Sequence, residues 1–374
     1  MTKKRKVLVF HPALAPYRID FFNALAANFD ATFYFTNANL LDQQFDQDRL
    51  RGQCEFKFNL LEKGFQIGGR QVRLGIRKII KRETPDVIIC SEYSQITMSV
   101  LMLRYTMRLS YKVFTISDDS IALSIERKGI RKFLRDQASK SIDAIIFPSD
   151  AVGEWYRQNV NGKTKLLTLP IIHDNGVFRS KLAESLPQAQ NYLHKFQLMN
   201  KKVFLFVGRL VDIKNVDFLI RAFAKSGVGE ETVLVVVGSG PEEKNLKNRA
   251  RSLRLENVCL FPGRFEGNDL FAWYTIADCL VLPSYQEPYG VVVNEALLAG
   301  CKVLCSNRAG SSDLVNAKNG YLFDPFEVDE LSSLIAKVDN GLIPKKQLSG
   351  LRPDLMRFSL KDSIANIIKG IETS

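Results

Sequence analysis

The feature that most restricts this sequence is an alternation of short apolar runs with segments of helical period, read once in each half of the chain. Val203 to Val207 and Val233 to Val237 are apolar at every position. Such runs suit strands covered on both faces of a parallel sheet. The first half opens with a strand, Lys6 to Phe10, and a loop, His11 to Pro16. A helical pattern then runs through Ile19, Phe22, Leu25 and Phe29, and Ala31 to Thr36 is the second strand. A helix is expected over Arg70 to Arg82, then strand Asp86 to Cys90 and helix Gln95 to Leu109. Strand Lys112 to Ile116 ends in Ser117-Asp118-Asp119. Helix Arg127 to Lys140, strand Asp143 to Phe147 and a helix capped by Pro148-Ser149-Asp150 follow. Polar residues thicken from Ser180 to Lys202, which predicts a linker. The alternation then restarts, with further strands at Val258 to Phe261, Cys279 to Leu282 and Lys302 to Cys305. At 374 residues the chain exceeds what one core holds, so two doubly wound α/β domains are expected.

Composition narrows the function classes. Hydrophobic content of 46% and charged content of 25% are those of a globular protein. No run of about 18 apolar residues is present, and Val7 to Phe10 is too short for a signal peptide. A cytoplasmic location is the resulting expectation. The six cysteines form no Cys-x-x-Cys motif, and Cys301 and Cys305 flank a strand with no third ligand nearby, so no metal is expected. The net charge of +12 lies mostly in the first 180 residues, which carry 28 Lys+Arg against 18 Asp+Glu. That half suits an anionic partner: phospholipid, a lipid pyrophosphate or nucleic acid. Nucleic acid is set aside, because no stacking platform or recognisable binding motif accompanies the charge.

Four motifs fall after strands of the second half, where ligands of such sheets sit. Gly208-Arg209-Leu210 follows the first strand, with Lys214 at the start of the next helix. Gly238-Ser239-Gly240-Pro241 follows the second. Leu282 to Ala299 reads L-P-S-Y-Q-E-P-Y-G-V-V-V-N-E-A-L-L-A, with Pro288 suited to a first helical turn, which predicts a helix from about Glu287. Glu287 and Glu295 would then lie on one side at different depths. Arg308-Ala309-Gly310-Ser311-Ser312-Asp313 completes the set. Two cations, glycine turns and helix amides on one rim describe a diphosphate site.

With these motifs in place, the second half resembles the donor-binding domain of retaining glycosyltransferases of family 4. Their pattern of G-R-L then Lys, G-x-G-P, and P-S-x-x-E-x-[FY]-G-x-x-x-x-E-A is met by Gly208 to Leu210 with Lys214, Gly238 to Pro241, and Pro283 to Gly300. The resemblance implies a GT-B fold, two doubly wound Rossmann-like domains facing across a cleft. Residues 1–178 with the last helix, 356–374, would bind the acceptor, and residues 179–355 the donor. It implies a nucleotide-diphosphate sugar, UDP or GDP, as co-substrate, with no resident cofactor and no obligatory metal.

By the same resemblance Arg209 and Lys214 would bind the pyrophosphate. Glu287 would sit by the sugar hydroxyls, and the amides around Tyr289, Gly290 and Val291 would contact sugar and phosphate. Glu295 would accept from the ribose, Phe265 would line the base pocket, and Gly238 and Gly240 would shape the turn beside the phosphates. Two departures stand out: Lys214-Asn215 where the family often has Lys-Gly, and Gly310-Ser311 where it often has Gly-Gly. The first half lacks the family's glycine-rich loop. There Arg18, at a helix start, and Asp118, at a strand end, are the candidates for phosphate and acceptor.

The segment Arg127 to Arg135 interleaves five cations with Ile130, Phe133 and Leu134, which suits anionic headgroups. The expectation is a retaining transferase acting on a lipid-linked or cell-surface glycan, peripheral on the inner face of the plasma membrane. A nucleotide-sugar epimerase of the same architecture is the alternative, although no acid/base pair stands out for it.

Overall fold

A computed structural model describes residues 4–39, 46–67, 70–126, 128–160, 163–342 and 348–374. The chain divides into two compact units, residues 1–171 with 360–374, and residues 172–359. The first division falls a few residues before the expected 178. The helix Asn175–Glu184, capped by the Asp174 carboxylate, packs against helix Gly267–Ile276 and so belongs with the second unit.

The first unit is built on a seven-stranded parallel sheet. Its strands are β1 (Lys6–His11), β2 (Asp30–Phe35), β3 (Phe58–Leu60), β6 (Val87–Ser91), β7 (Lys112–Ile116), β8 (Ala144–Phe147) and β9 (Lys165–Thr168), in the order β3-β2-β1-β6-β7-β8-β9. Between β3 and β6 lies an antiparallel hairpin, β4 (Gly64–Ile67) with β5 (Arg70–Arg73). The expected helix over 70–82 thus begins as a strand, Arg70–Arg73. The helix itself spans Ile76–Glu83 and buries Ile76, Ile79 and Ile80, while Arg73 donates to the Glu62 carbonyl and to Asn37. The last helix, Leu360–Glu372, packs on β9 and on helix Ile19–Asn28, tied by Arg5 to the Ile371 carbonyl at 2.8 Å.

The second unit carries six parallel strands: β10 (Lys202–Val207), β11 (Thr232–Val237), β12 (Cys259–Gly263), β13 (Cys279–Leu282), β14 (Lys302–Ser306) and β15 (Gly320–Phe323). Their order is β12-β11-β10-β13-β14-β15. The all-apolar runs β10 and β11 are buried from end to end except for the edge residues of β10, as strands covered by helices on both faces must be. The expected linker at 180–202 is instead helical. The helices Asn175–Glu184 and Leu186–Lys195 bury Phe178, Leu182, Ala189, Tyr192 and Leu193 along one stripe. Among the described residues no helix is long and apolar enough to cross a membrane.

Candidate active site

Strand order decides where the second unit can bind a ligand. It reverses between β10 and β13, so the loops leaving these strands diverge and open a crevice at their carboxyl ends. The loop after β10 carries Arg209 and Lys214, and the loop after β13 carries Glu287.

Three backbone segments are locked together on one side of this crevice. Leu210 N–H donates to the Ser239 carbonyl at 2.9 Å, Glu242 N–H to the Leu210 carbonyl at 3.1 Å, and Gly238 N–H to the Gly263 carbonyl at 2.9 Å. A Cβ at Gly238 would stand 1.8 Å from the Gly208 carbonyl oxygen, and one at Gly240 2.3 Å from that of Leu210. The two glycines are therefore required by backbone approach. Arg209 is held at the apex of this stack, exposed and without an ion pair among the described residues.

On the other side, Glu287 pairs in parallel with Ala309 through a single bridge. Gly310 N–H donates to the Glu287 carbonyl at 3.2 Å and Ser311 N–H to that of Tyr289 at 2.8 Å. Gly290 turns left-handed at φ +93°, and a Cβ there would meet Leu282 at 2.7 Å. Gly310 is equally constrained, since its Cβ would lie 2.2 Å from the Pro288 carbonyl oxygen. These contacts draw residues 287–291 out as a loop. The helix consequently spans Val292–Leu298, and Glu287 with Pro288 precede it, where a helix from Glu287 was expected. Tyr289 is buried, whereas Gly290 and Val291 are partly open at the entrance to the helix.

The two sides meet in an ion pair. Lys214 ends a short 3-10 turn, Asp212–Lys214, and Asn215 behind it adopts φ +56°, with its amide donating to the Pro325 carbonyl at 2.9 Å. Asparagine tolerates this left-handed conformation better than most side chains. This is a backbone shape that glycine adopts freely, at the position where the pattern the chain resembles often has glycine. Lys214 Nζ pairs with Glu287 Oε2, and Ser284 Oγ donates to the same oxygen at 3.4 Å. The Lys214 side chain is 17% exposed and that of Glu287 9%, so the pair lies where water screens it little.

Glu295 lies in the first turn of helix Val292–Leu298, with both carboxylate oxygens engaged by protein. Tyr274 Oη donates to Oε2 at 2.5 Å, and His173 Nε2 stands 3.0 Å from Oε1. Burial, then the Glu295 charge, pushes the Tyr274 hydroxyl well above its ordinary value, so it remains a donor. Neither Tyr274 nor His173 was expected from the sequence, where His173 is one of three histidines with no motif around it. Phe265 is half-buried, packed against Tyr192 and Trp273 with centroids 5.6 and 5.8 Å away.

In the first unit the strand order reverses between β1 and β6. Here Arg18 and Asp118, expected separately, pair with each other. Arg18 is 1% exposed and turned inward, where an open cation was expected. The 3-10 turn Pro16–Arg18, closed by Arg18 N–H on the Ala15 carbonyl at 3.0 Å, directs it there. Its guanidinium lies 5.4 Å from the Tyr17 ring centroid, and Nε and Nη1 meet no protein acceptor among the described residues. Asp118 is held in turn by its backbone N–H on Glu92 at 2.8 Å. His11 stands alongside, its pKa lowered to about 4 by burial and then by the Arg18 charge. A cavity of about 100 Å³ beside it is lined by His11, Thr36, Arg73, Ser94 and Gln95.

The expected basic helix spans Gly129–Ser139, and Arg127 lies outside the described residues. Arg135, expected on its charged surface, is buried instead, donating to the Ser124 carbonyl at 3.0 Å and stacking near Tyr156. Ile130, Phe133 and Leu134 face outward.

Two doubly wound parallel units, each reversing its strand order once, have the architecture of the GT-B fold. Residues 190–345, under half of the chain, match the family model of glycosyl transferases group 1. An uncharacterized glycosyltransferase of Methanocaldococcus jannaschii is 34% identical over 134 residues, covering 36% of this chain and 34% of that protein. Protein CapJ of Staphylococcus aureus is 24% identical over 248 residues, 58% of this chain and 63% of CapJ. The matches thus span a third to under two thirds of these relatives. The structure of HepE from Anabaena in complex with UDP superimposes with a TM-score of 0.70 at 16% identity, over 99% of this chain and 100% of that one, which shows the shared fold.

Proposed function

We propose that the chain is a retaining glycosyltransferase of family 4, moving a sugar from a UDP- or GDP-sugar to a lipid-linked or cell-surface glycan acceptor. The observation that carries this reading is the Lys214–Glu287 pair at the reversal of strand order in the second unit, with the open Arg209 on the same loop as Lys214. Arg209 and Lys214 would hold the pyrophosphate and neutralise the charge that grows on it as the glycosidic C–O bond breaks. This would serve without an obligatory metal or a resident cofactor. Glu287 would accept from the sugar hydroxyls, the amides of Gly290 and Val291 would approach sugar and phosphate, and Glu295 would accept from the ribose. Retention follows if the leaving phosphate takes the acceptor proton on the face from which it departs. The UDP bound by HepE, a protein of the same fold, favours a nucleotide donor.

The first unit would bind the acceptor, with Asp118 at the end of β7 beside it. Its outward Ile125, Ile130, Phe133 and Leu134, next to Lys128 and Lys132, would rest on an anionic inner leaflet. Salt-sensitive pelleting with anionic vesicles tests that attachment, and its absence would remove it.

A thermal-shift panel of UDP-, GDP-, ADP- and CMP-sugars tests the donor, since a ligand of the native state raises Tm by mass action. The expected result is a shift with one nucleotide class that Arg209→Ala reduces. No shift with any of them would overturn the reading.

A further inference from the structure

We propose that His173 is a positioning residue that, together with Tyr274, fixes the Glu295 carboxylate to receive the vicinal hydroxyls of the donor's ribose. The inference rests on the donor reading above and adds the device that would make it selective for ribonucleotides.

Glu295 receives a hydrogen bond on each oxygen, from Tyr274 at 2.5 Å and from His173 at 3.0 Å. A carboxylate offers about four lone-pair directions, so two remain for a ligand. With its side chain 11% exposed, the group is open to a ligand over a small part of its surface. The two donors differ in kind. Tyr274 is fully buried on helix Gly267–Ile276 and sets the inner oxygen. His173 is 32% exposed and sets the outer one, at the edge a ligand would approach.

His173 is itself fixed at three points. Its backbone N–H donates to Asn294 Oδ1 at 2.9 Å, so the residue preceding Glu295 on the same helix holds it. Its ring stacks on Phe178, with centroids 4.6 Å apart and planes 15° from parallel. Its Nε2 must carry the proton to donate to a carboxylate, which selects one tautomer. A side chain held at backbone, ring face and ring nitrogen is not a surface histidine that happens to lie near an acid. Without it the Glu295 carboxylate would be held by Tyr274 alone, with more freedom about its last torsion, which is broad for this group.

Affinities for UDP and GDP, and for their 2′,3′-dideoxy forms, test this in wild type, His173→Phe, His173→Gln and Tyr274→Phe. Phenylalanine at 173 keeps the stack on Phe178 and removes the N–H, and glutamine restores a donor. We expect wild type to prefer the ribonucleotide about tenfold, as one charged hydrogen bond would give. His173→Phe should reduce that preference to about twofold while leaving affinity for the dideoxy form unchanged. His173→Gln should recover part of it, and Tyr274→Phe should act in the same direction as His173→Phe. A ratio unchanged in His173→Phe, or an equal loss for both nucleotides, overturns the positioning role alone. Failure of wild type to bind any of the four overturns the donor reading and this inference with it.

Discussion

The two sheets reverse their strand order in the same way, at β1/β6 in the first unit and β10/β13 in the second, yet the loops at the two reversals are made differently. In the second unit, glycines let loop backbones touch: Gly238 on Gly208, Gly240 on Leu210, Gly310 on Pro288. Side chains are thereby kept out of the packing, and the charges stand at the crevice. In the first unit the corresponding loop is Pro12-Ala13-Leu14-Ala15-Pro16, buried from Ala13 to Ala15, and its cation, Arg18, is folded inward onto Asp118. The same topology thus yields a polar mouth where backbone packs on backbone and a closed one where side chains do the packing. Charge alone does not make a site. Which atoms separate the charge from water decides it.

The contrast is broken most directly at the second reversal. Glu287→Gln should lower turnover with the cognate donor about a thousandfold, the upper scale for one polar contact in an active site, while the glutamine carbonyl still accepts from Lys214 and the fold is kept. Arg18→Met, at the first reversal, should do the opposite and lower Tm while binding of the nucleotide persists. Equal effects of the two on nucleotide binding would erase the distinction.

His11 sharpens the comparison from the side of the closed mouth. Its folded pKa of about 4 lies below the unfolded value of 6.5, so between these pH values the unfolded chain holds the extra proton. Stability therefore rises with pH across that window, and His11 is a burden that grows as pH falls from 6.5 towards 4. At its full extent this amounts to about 3 kcal/mol. Denaturant unfolding at pH 7.5 and 4.5 should show the drop, and His11→Gln should flatten it by about 2 kcal/mol. An identical slope in the variant would mean that His11 is not held neutral.

Gly240→Ala tests whether backbone contact builds the open mouth. The added Cβ would fall 2.3 Å from the Leu210 oxygen and 2.8 Å from its nitrogen, both backbone atoms that no rotamer change can move. The second unit should lose about 2 kcal/mol, or roughly 6 °C in Tm. A neutral substitution would show the three loops to be less tightly joined than their hydrogen bonds imply.

How much of this was legible follows the same division. The all-apolar runs β10 and β11 announce a parallel sheet, and glycines that follow strands have local reasons a sequence can display. The start of the helix after Glu287 could not be read, because it depends on pairing with residues 309–311 and on the left-handed Gly290. Pro288 suits a first turn but does not compel one. The stripe Phe178, Leu182, Ala189, Tyr192 was present under the polar residues of 180–202 and was masked by their density. The Gly68-Gly69 pair of the sequence is a two-residue turn signal that the basic periodicity of 70–82 overrode. His173 and Arg135 carried no local mark at all, since their partners, Glu295 and Ser124, come from elsewhere in the fold.

The smallest expected effect separates the two arginines themselves. Arg209 is exposed with no ion pair among the described residues, so its removal leaves no charge stranded there and should not change stability. What it should change is the affinity for UDP or GDP, by about tenfold, the worth of one charged contact of about 1.4 kcal/mol. Because that contact is open to solvent, raising the salt should weaken nucleotide binding in wild type and have less effect in Arg209→Ala. Titration at two ionic strengths would read both numbers. If Arg209→Ala binds as wild type does at low salt, the open cation is an ordinary surface charge, and the diphosphate must be held by Lys214 and the backbone amides alone.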